Sequence, residues 1–517
     1  MITTGLKIPQ TDLKSPFTGA EYLSSLEDDR EIWIYGKRVK SVLTHPAFAN
    51  TARMIAKLYD ALHDPQQQSI LTCPTDTASG TFTHRFFKAA KNAEELVATR
   101  DAIAHWSRMT YGWMGRSPDY KASFLSTLGV NADFYAPYAE NARYWYRASQ
   151  DRVLYMNHAI VDPPVDRNLS WAEAAGDVRI TVERETDAGI IVSGAKTVAT
   201  NATVTQYSLI AQTAPVEKPE QALVFILPMN APGVKLLCRP SYQMMAQTMG
   251  SPFDYPLSSR LDENDTILIC DHTLIPWENI LVYRDTDKLQ AFLTQAGFEQ
   301  NTMFHGCTRL AVKLDFIAGL LLKALEITGA IRHRGVKVNV GEVLAWRNLF
   351  WSLTETMARV PSQWKPEAVL PNNEAGLSYL ALSPSAYSKI REMVENLVAS
   401  GLIYVCSHAK DFDAPEIRPY IDRYMRGTNG TDAVERVKVM KLLWDAVGTE
   451  FAGRHELYEH NYAGNHETIR LLNYLGAENY GQAEELKAFA DRCLNEYDLD
   501  GWKTSDLLDG SDFYKSL

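Results

Sequence analysis

"VRITVERETDAGIIVSGAKTVATNATVTQYSLIAQTA" (residues 178–214) is rich in valine, isoleucine and threonine and is interrupted by turn glycines. This composition is typical of consecutive β-strands, because β-branched side chains pack well on a pleated sheet. The strand pattern continues to about residue 285 through "ALVFILPM" (222–229) and "TILICDHTLIPWENILVY" (266–283). We therefore predict a compact β segment in the middle of the chain.

Helical patterns lie on both sides of this β segment. Apolar residues recur at three- and four-residue steps, which indicates amphipathic helices, in 52–64, 93–111, 307–331, 341–360, 385–405 and 433–459. Near the N-terminus, "REIWIYGKRV" (30–39) is typical of a hairpin around Gly36. Runs of helices, then strands, then helices predict an α+β fold rather than a doubly wound sheet. The expected domains are 1–155 (mainly helical), 156–290 (β) and 291–517 (helical bundle and tail).

Composition limits the classes of partner. Hydrophobic residues make up 46% of the 517 residues and charged residues 22%, as in ordinary globular proteins. The net charge of −11 argues against nucleic acid or an anionic membrane surface as the main partner. The most apolar stretch, "FIAGLLL" (316–322), is far shorter than the ~20 residues of a membrane span. Six scattered cysteines without a CxxC pair, and an N-terminus without an apolar signal region, predict a cytoplasmic protein.

Several common site motifs are absent from the sequence. No two glycines are separated by a single residue, so the GxGxxG fingerprint of dinucleotide sites cannot occur, and there is no Walker A motif. His455 and His460 are five residues apart, which is roughly 140° around a helix and unsuited to an HExxH site. We therefore expect no metal site and no nicotinamide site in this chain.

The segment "YGWMGRSPDYKASF" (111–124) contains the first candidate site. Ser117 is expected to cap a helix, with Pro118 at its first position and Asp119 in its first turn. Arg116 and Tyr120 then flank an electropositive helix start, which attracts anions. Either they are a surface arginine and a packing tyrosine, or they form the polar wall of a pocket for an aromatic anion.

Three other places carry chemically useful side chains, and each has a simpler structural interpretation. His158 stands at the helical-to-β transition in "YMNHAIVDPPVDR" (155–167), where a core histidine is the alternative. Thr200 and Asn201, in "ATNATVTQY" (199–207), are either ligands of a planar heterocycle or ordinary strand residues. Arg454 follows Gly448 and Gly453, which we expect to interrupt a helix and allow close approach of a phosphate or ring. A nucleophilic Cys307 beside His305 is less favoured than a buried cysteine.

Together, six long blocks resemble the large, oxygenase component of the 4-hydroxyphenylacetate 3-monooxygenase family. They are "PFTGAEYLSSLEDDREIWIYGKRV", "SRMTYGWMGRSPDYK", "NHAIVDPPVDR", "ETDAGIIVSGAKTVATN", "GSPFDYPLSSRLDENDTILICDHTLIPWENILVYRD" and "WDAVGTEFAGRHELYE". The resemblance spans nearly the whole chain. It implies an acyl-CoA-dehydrogenase-like fold with an N-terminal helical domain, a middle β-barrel-like domain and a C-terminal four-helix bundle that mediates tetramerisation.

The resemblance also implies an activity. Such enzymes hydroxylate a 4-substituted phenol beside its hydroxyl to give a catechol, using molecular oxygen and FADH2 from a separate NAD(P)H:flavin reductase. Reduced FAD and oxygen form a C4a-hydroperoxide, which the ring carbon of a phenolate attacks. A free phenol has a pKa of ~10, so the pocket must favour the ionised form with positive charge and donors. The pocket must also exclude water.

The resemblance assigns residues to two groups. The substrate group contains Arg116, Tyr120 and His158, which are also the expected catalytic residues, together with Thr213 and Ala214. The FAD group contains His158, Ala159, Ile160, Pro164, Val165, Asp166, Arg167, Thr200, Thr449, Glu450, Phe451, Ala452, Gly453 and Arg454. The loop 211–225 looks shorter and different in character from that of 4-hydroxyphenylacetate enzymes, so tyrosine or a coumarate-like phenol also fits as substrate.

Other functions on the same fold remain as alternatives. An acyl-CoA dehydrogenase would bind FAD tightly and use a carboxylate base. A radical hydroxyacyl-CoA dehydratase needs cysteines for an iron–sulfur cluster in its N-terminal helices, and this chain has none between Cys73 and Cys238. A binding or scaffold role would leave the flavin-site blocks without a purpose.

Overall fold

The computed structural model of the chain describes residues 15–166, 168, 173, 178–212, 216, 218–462, 464–479, 481–504 and 507. Arg167, Thr213 and Ala214, three of the predicted site residues, lie outside this set. No helix among the described residues is long and apolar enough to cross a membrane.

The N-terminal part is mainly helical, as predicted. Its helices are α1 (Gly19–Ser24), α2 (Ala49–Ala61), α3 (Pro65–Leu71), α4 (Ala93–Met109), α5 (Ala122–Leu125) and α6 (Ala139–Arg152). The hairpin predicted around Gly36 is confirmed by β1 (Glu31–Ile34) and β2 (Lys37–Arg38), and β3 (Thr72–Pro74) pairs with β4 (Phe82–His84). Gly112 ends the α4 region with φ +76°, and a Cβ there would lie 2.6 Å from the backbone nitrogen of Lys313. Glycine is therefore required where this turn meets the C-terminal helices.

The middle part contains most of the strands. They are β5 (Met156–Ala159), β6 (Thr181–Thr186), β7 (Gly189–Lys196), β8 (Tyr207–Ala211), β9 (Leu223–Pro228), β10 (Val234–Cys238), β11 (Thr266–Pro276) and β12 (Ile280–Tyr283), with helix α7 (Tyr242–Met249). One sheet has the order β2-β1-β10-β11-β7-β6 and a second has the order β12-β9-β8-β5. The α+β prediction is confirmed, but within the described residues these are two open sheets and not the barrel-like arrangement expected.

The C-terminal part is helical. Its helices are α8 (Thr286–Gln295), α9 (Phe298–Thr328), α10 (Arg334–Arg359), α11 (Asn373–Val398), α12 (Arg418–Tyr424), α13 (Ala433–Val447), α14 (Glu450–Asn461), α15 (His466–Asn479) and α16 (Gln482–Leu494). Two small hairpins accompany them, β13 (Ser362–Lys365) with β14 (Ala368–Leu370) and β15 (Tyr497–Asp498) with β16 (Gly501–Trp502). Helix α9 is 31 residues long and packs against α4, α10, α11 and α13. Buried apolar side chains of all three parts form one continuous core.

One break in the helical pattern was predicted correctly and one was not. The chain leaves α13 at Gly448, and Thr449 caps α14 by accepting a hydrogen bond from the backbone N–H of Ala452 at 3.2 Å. Gly453 was expected to interrupt a helix as well, and this prediction is wrong, because Gly453 lies within the first turns of α14. Added space is available there, since a Cβ on Gly453 would have no neighbour within 4 Å.

The N-terminal segment is joined closely to the β region. Strand β1 pairs in parallel with β10, placing Ile32 opposite Leu236. The Tyr22 hydroxyl donates to the Val204 carbonyl at 2.9 Å, and the Arg30 guanidinium donates to the Thr203 carbonyl at 2.8 Å. These contacts attach the N-terminal segment to the six-stranded sheet and to the turn at residues 203 and 204.

Candidate functional site

The segment 111–124 enters the core as an irregular turn. Pro118–Lys121 form a short 3-10 helix that leads directly into α5. Ser117 occupies the N-cap position, but its hydroxyl donates to the Asp119 carboxylate at 2.5 Å and makes no cap bond to the backbone. The predicted helix start, with Ser117 as N-cap, Pro118 at the first position and Asp119 in the first turn, is therefore confirmed, but the helix is of the 3-10 type and lacks a side-chain cap bond. So short a helix has little dipole, and positive charge here must come from side chains.

A carboxylate already occupies the backbone donors that precede this turn. The Glu263 side chain accepts hydrogen bonds from the backbone N–H groups of Gly115 at 2.9 Å and Arg116 at 2.6 Å. The Tyr155 hydroxyl donates a hydrogen bond to the Arg116 carbonyl and accepts one from the Asn201 side-chain amide at 2.9 Å. These contacts fix the backbone from which the Arg116 side chain projects.

Arg116 and Tyr120 are both buried, at 8% and 2% exposure, so the interpretation of Arg116 as a surface residue is wrong. The guanidinium carbon of Arg116 lies 4.0 Å from the Tyr120 ring centroid, and its Nη1 donates to the Tyr458 hydroxyl at 2.5 Å. A third ring, that of Tyr462, lies 5.4 Å from it. Burial acts to lower the pKa of Arg116, but the surrounding phenol groups and the Glu263 carboxylate outweigh it and raise that pKa, so the side chain stays charged.

His158 approaches Tyr120 from the four-stranded sheet. It lies on β5, and the two rings meet edge to face with centroids 5.5 Å apart. Its Nδ1 is buried and has no hydrogen-bond partner among the described residues. Burial, together with the positive charges of Lys121 and Arg116, holds the pKa of His158 well below its usual value. The imidazole is therefore neutral and has a free ring nitrogen at this wall.

The predicted FAD residues fall into three groups. Ala159 and Thr200 are buried, and Ile160 is half-buried next to them at the end of β5. Pro164, Val165 and Asp166 are exposed in the turn that follows. On α14 and its cap, Phe451 and Ala452 are buried, Thr449 and Gly453 are half-buried, and Glu450 is exposed.

Asp265, which was not predicted from the sequence, brings two of these groups together. Its carboxylate accepts from the Thr200 hydroxyl at 2.6 Å and from two nitrogens of Arg454, at 2.7 and 2.9 Å. Arg239 donates to it as well, at 2.8 Å. Burial would raise the pKa of Asp265, but the charges and hydrogen bonds of the two arginines and Thr200 lower it well below its usual value.

Glu263 links this cluster to the turn that carries Arg116. Its carboxylate lies 3.5 Å from Arg454 and accepts the two backbone bonds described above. The predicted substrate segment and the predicted FAD segments are thus held by one charge network.

A second group of charged residues that was not predicted from the sequence lies on α9 and α14. Glu459 is buried and pairs with Arg309 at 2.7 Å and with Lys313 at 3.0 Å. The Arg309 guanidinium also lies 5.1 Å from the ring of Tyr458, the tyrosine that holds Arg116. Arg454, Tyr458 and Tyr462 are four residues apart, so helical periodicity places all three on one face, which is a signal available in the sequence.

The side chains present fit a planar heterocycle with several polar edges. Some of the buried polar atoms that have no hydrogen-bond partner among the described residues lie where β5 meets β8. They include Asn157 Oδ1 and Ser208 Oγ, which belong to residues opposite each other in the sheet. Such orphaned donors and acceptors are unfavourable unless a ligand pairs with them. The described residues contain no group of three or more His, Cys, Asp or Glu side chains arranged to hold a metal.

Comparison with known proteins gives matches over almost the entire chain. Residues 18–282 match the family described as 4-hydroxyphenylacetate 3-hydroxylase N terminal, and residues 289–494 match its C terminal counterpart. The oxygenase component of a Rhodococcus 4-nitrophenol 2-monooxygenase is 54% identical over 96% of this chain and 95% of its own length. A Streptomyces globisporus (3S)-3-amino-3-(3-chloro-4-hydroxyphenyl)propanoyl-[peptidyl-carrier protein SgcC2] monooxygenase is 57% identical over 95% of this chain and 93% of its own.

A solved structure agrees with these matches. It is the oxygenase component (HpaB) of 4-hydroxyphenylacetate 3-monooxygenase complexed with FAD and 4-hydroxyphenylacetate, and it superposes with a TM-score of 0.85 at 29% identity over 93% of this chain and 99% of that chain. The fold and the matches define the class: an oxygenase component of a monooxygenase on an acyl-CoA-dehydrogenase-like fold. The chain belongs to the 4-hydroxyphenylacetate 3-hydroxylase family, so the predicted resemblance is confirmed.

Proposed function

We propose that the protein hydroxylates a 4-substituted phenol beside its hydroxyl to give a catechol, with molecular oxygen and FADH2 from a separate NAD(P)H:flavin reductase. One observation carries the proposal. A buried guanidinium, that of Arg116, lies among the rings of Tyr120, Tyr458 and Tyr462, next to a neutral His158 with an unpaired nitrogen. Positive charge enclosed by aromatic rings suits a flat, anionic aromatic ligand.

The chain's own residues have separable roles in this reaction. Arg116 stabilises the phenolate, because a charge in a site that excludes water acts more strongly than one in solvent. The Tyr120 hydroxyl and His158 are placed to hydrogen-bond the phenolate oxygen and so orient the ring. The burial of Arg116 and Tyr120 excludes water from the reacting carbon.

The residues around Asp265 are proposed to hold the flavin. Arg454 and Thr200, aligned by Asp265, supply a positive charge and a hydroxyl, while Ala159, Ile160 and the open side of Gly453 give apolar contact. The exposed turn containing Pro164, Val165 and Asp166, with the cap residue Thr449 and its neighbours Glu450, Phe451 and Ala452, extends the surface for the rest of the cofactor. Reduced FAD, when held by these residues, would supply the electrons that activate molecular oxygen.

The substrate is assigned by class. The relatives named above act on 4-nitrophenol and on a carrier-bound 3-chloro-4-hydroxyphenyl compound, and the solved structure contains 4-hydroxyphenylacetate. Each has a phenolic hydroxyl para to a different substituent. We propose the same phenol end here, with 4-hydroxyphenylacetate, tyrosine or a coumarate-like phenol as candidates. A homotetramer in the cytoplasm is part of the proposal.

The test combines the protein with a flavin reductase, NADH, FAD and a panel of para-substituted phenols, followed by identification of products. A catechol from at least one phenol is expected. Formation of peroxide alone with every phenol would refute the hydroxylase assignment.

A His158→Ala variant sharpens the test. It is expected to retain the fold and to divert turnover from catechol to peroxide, because the phenolate loses an orienting contact. His333→Ala, at an exposed position on the N-cap of α10, is the matched control and should keep the wild-type coupling. Unchanged coupling in His158→Ala would remove this histidine from the mechanism.

A further inference from the structure

Lys121, next to Tyr120 in the same short helix, is one of the largest fully buried side chains of the protein, with 0% exposure. Its Nζ makes no hydrogen bond to any described residue. Lysine is almost never fully buried without a partner, because an unpaired ammonium loses its hydration without compensation. The position of this amine therefore needs an explanation.

Nζ lies beside two aromatic rings, one of which, that of Tyr120, belongs to the candidate substrate residues. It lies 4.3 Å from the ring centroid of Tyr120 and 3.9 Å from that of Phe298, the first residue of α9. The charged or titratable groups that face it are Arg116 on the preceding turn, Tyr120 on its own helix and His158 on β5, while α9 presents an uncharged ring. Burial and the charge of Arg116 hold the pKa of Lys121 well below its usual value.

This arrangement suits an amine that is neutral before a phenol binds. A phenol and an alkyl ammonium have nearly the same pKa in water. The lowered pKa of Lys121 opposes proton uptake by the free protein, so the transfer depends on the ion pair that it creates. Once the proton has moved, the ammonium and the phenolate are opposite charges and stabilise each other in a site of low dielectric constant. Imidazole is a much weaker base, and His158 is less suited to keep a proton taken from a phenol.

We propose that Lys121 is the group that takes up the proton of the substrate's phenolic hydroxyl. In this step the O–H bond breaks, an N–H bond forms on Nζ, and the electron pair stays on the phenolate oxygen. Nothing is oxidised or reduced. The inference rests on the proposed function, because it requires a phenol as substrate, and it adds a proton acceptor to the orienting roles of Arg116, Tyr120 and His158.

The test measures proton uptake when 4-nitrophenolate binds. Wild-type protein, Lys121→Met and Lys121→Arg are titrated with the probe under nitrogen and with reduced FAD present, at a pH where the free probe is fully ionised. Calorimetry in two buffers of different ionisation enthalpy gives the number of protons bound. Wild type is expected to take up about one proton per probe, because neutral Lys121 must become charged to pair with the bound phenolate.

The two variants separate charge from proton transfer. Lys121→Met is expected to bind the probe at least about tenfold more weakly and to take up no proton. Lys121→Arg, which is always charged, should restore affinity without proton uptake. Lys121→Met should also raise the melting temperature, because an unpaired buried amine is replaced by an apolar side chain. A purely structural lysine would give the opposite result, a lower melting temperature.

The outcomes distinguish this inference from the proposed function. Proton uptake that persists in Lys121→Met would overturn the role of Lys121 while leaving the hydroxylase intact. Loss of uptake in His158→Ala, with Lys121 present, would assign the proton to the histidine instead. Failure of wild-type protein to bind or hydroxylate any phenol of the panel would overturn the proposed function and this inference with it.

Discussion

Two buried groups of charges lie close together in this protein, and they differ in how they are balanced. Around Glu459, the carboxylate accepts from Arg309 and Lys313, so each charge has an opposite charge in direct contact. Around Tyr120, the charged guanidinium of Arg116 and the amine of Lys121 face aromatic rings, and the described side chains form no ion pair with them. The first group is complete within the chain. In the second, no described carboxylate pairs with the Arg116 guanidinium or with Lys121, and Glu263 accepts its bond from the backbone N–H of Arg116.

The difference separates scaffold from site. A buried pair stabilises little beyond what its desolvation costs, but it becomes strongly destabilising when one member is removed. Buried cations and amines without a counter-charge are a cost that folding alone does not repay. Their presence beside orphaned polar atoms is what a binding site for an anionic aromatic molecule requires.

The largest effect is expected from breaking the complete group. Glu459→Gln leaves Arg309 and Lys313 buried without a counter-charge and should lower the free energy of unfolding by about 3–5 kcal/mol. Denaturant unfolding of wild type and variant measures this loss. Glu435→Gln, on the exposed side of α13, is the control and should change stability by less than about 0.5 kcal/mol. A loss below about 1 kcal/mol in Glu459→Gln would show that the pair is not part of the scaffold.

The same group predicts an acid-sensitive contribution to stability. Burial would raise the pKa of Glu459, but Arg309 and Lys313 lower it from 4.5 to about 2. Because the folded pKa is the lower one, the stabilisation is complete above about pH 4.5 and is lost as the pH falls towards 2, on the order of 3 kcal/mol in total. The stability gap between wild type and Glu459→Gln should therefore narrow between pH 6 and pH 3. A gap that stays constant would contradict the assignment.

In the group around Tyr120, a substitution is expected to change stability less but to weaken the binding of a phenol directly. Arg116→Met removes a charged hydrogen bond worth about 1.5–3 kcal/mol, so the Kd of a phenol should rise about 10- to 100-fold. The fold should survive, since no carboxylate loses its partner. Equilibrium binding of 4-nitrophenol and thermal melting report the two quantities. Arg309→Met is the contrasting variant and should lower the melting temperature, because Glu459 loses its arginine partner. If both variants lowered the melting temperature equally, the proposed difference between the group around Glu459 and the group around Tyr120 would be contradicted.

The smallest effect is expected where the two regions meet the flavin residues. Thr200→Val removes the hydroxyl that donates to Asp265 and costs about 0.5–1.5 kcal/mol. Since Arg454 remains bonded to Asp265, the affinity for reduced FAD should fall by about 2- to 10-fold without loss of fold. Fluorescence titration with FAD under reducing conditions measures this change. Unaltered affinity would exclude Thr200 from the cofactor surface.

Local patterns in the sequence were sufficient for much of the fold. The strand composition of 178–214 and the periodicity of 93–111 and 307–331 predicted β7, α4 and α9, because each pattern reflects burial along one element. The open form of the two sheets was not predicted, since closure depends on which strands are neighbours. Of the two helix breaks predicted at single glycines, only one was right: Gly448 ends a helix, whereas Gly453 lies inside one.

In the candidate site, too, contacts between distant segments could not be predicted from local sequence patterns. Arg116, Tyr120 and His158 were identified from resemblance, and the structure brings them into contact. Asp265 and Glu263 were missed, although both lie in a block quoted for that resemblance, because a carboxylate that bridges distant segments has no local signature. Lys121 was missed for the same reason. Its side chain is covered by Phe298 at the start of α9, which lies 177 residues further along the chain.

The parallel pairing of β1 with β10 has a consequence for biosynthesis. Residue 31 pairs with residue 235, so β1 has only the short strand β2 beside it, and its other edge stays unpaired until almost half of the protein has been made. Pairings between such distant segments are slow to form, and the exposed strand edge is prone to wrong association in the meantime. A nascent chain released before residue 234 should therefore be digested readily by proteases at its N-terminal third, and one extended past β11 should resist them.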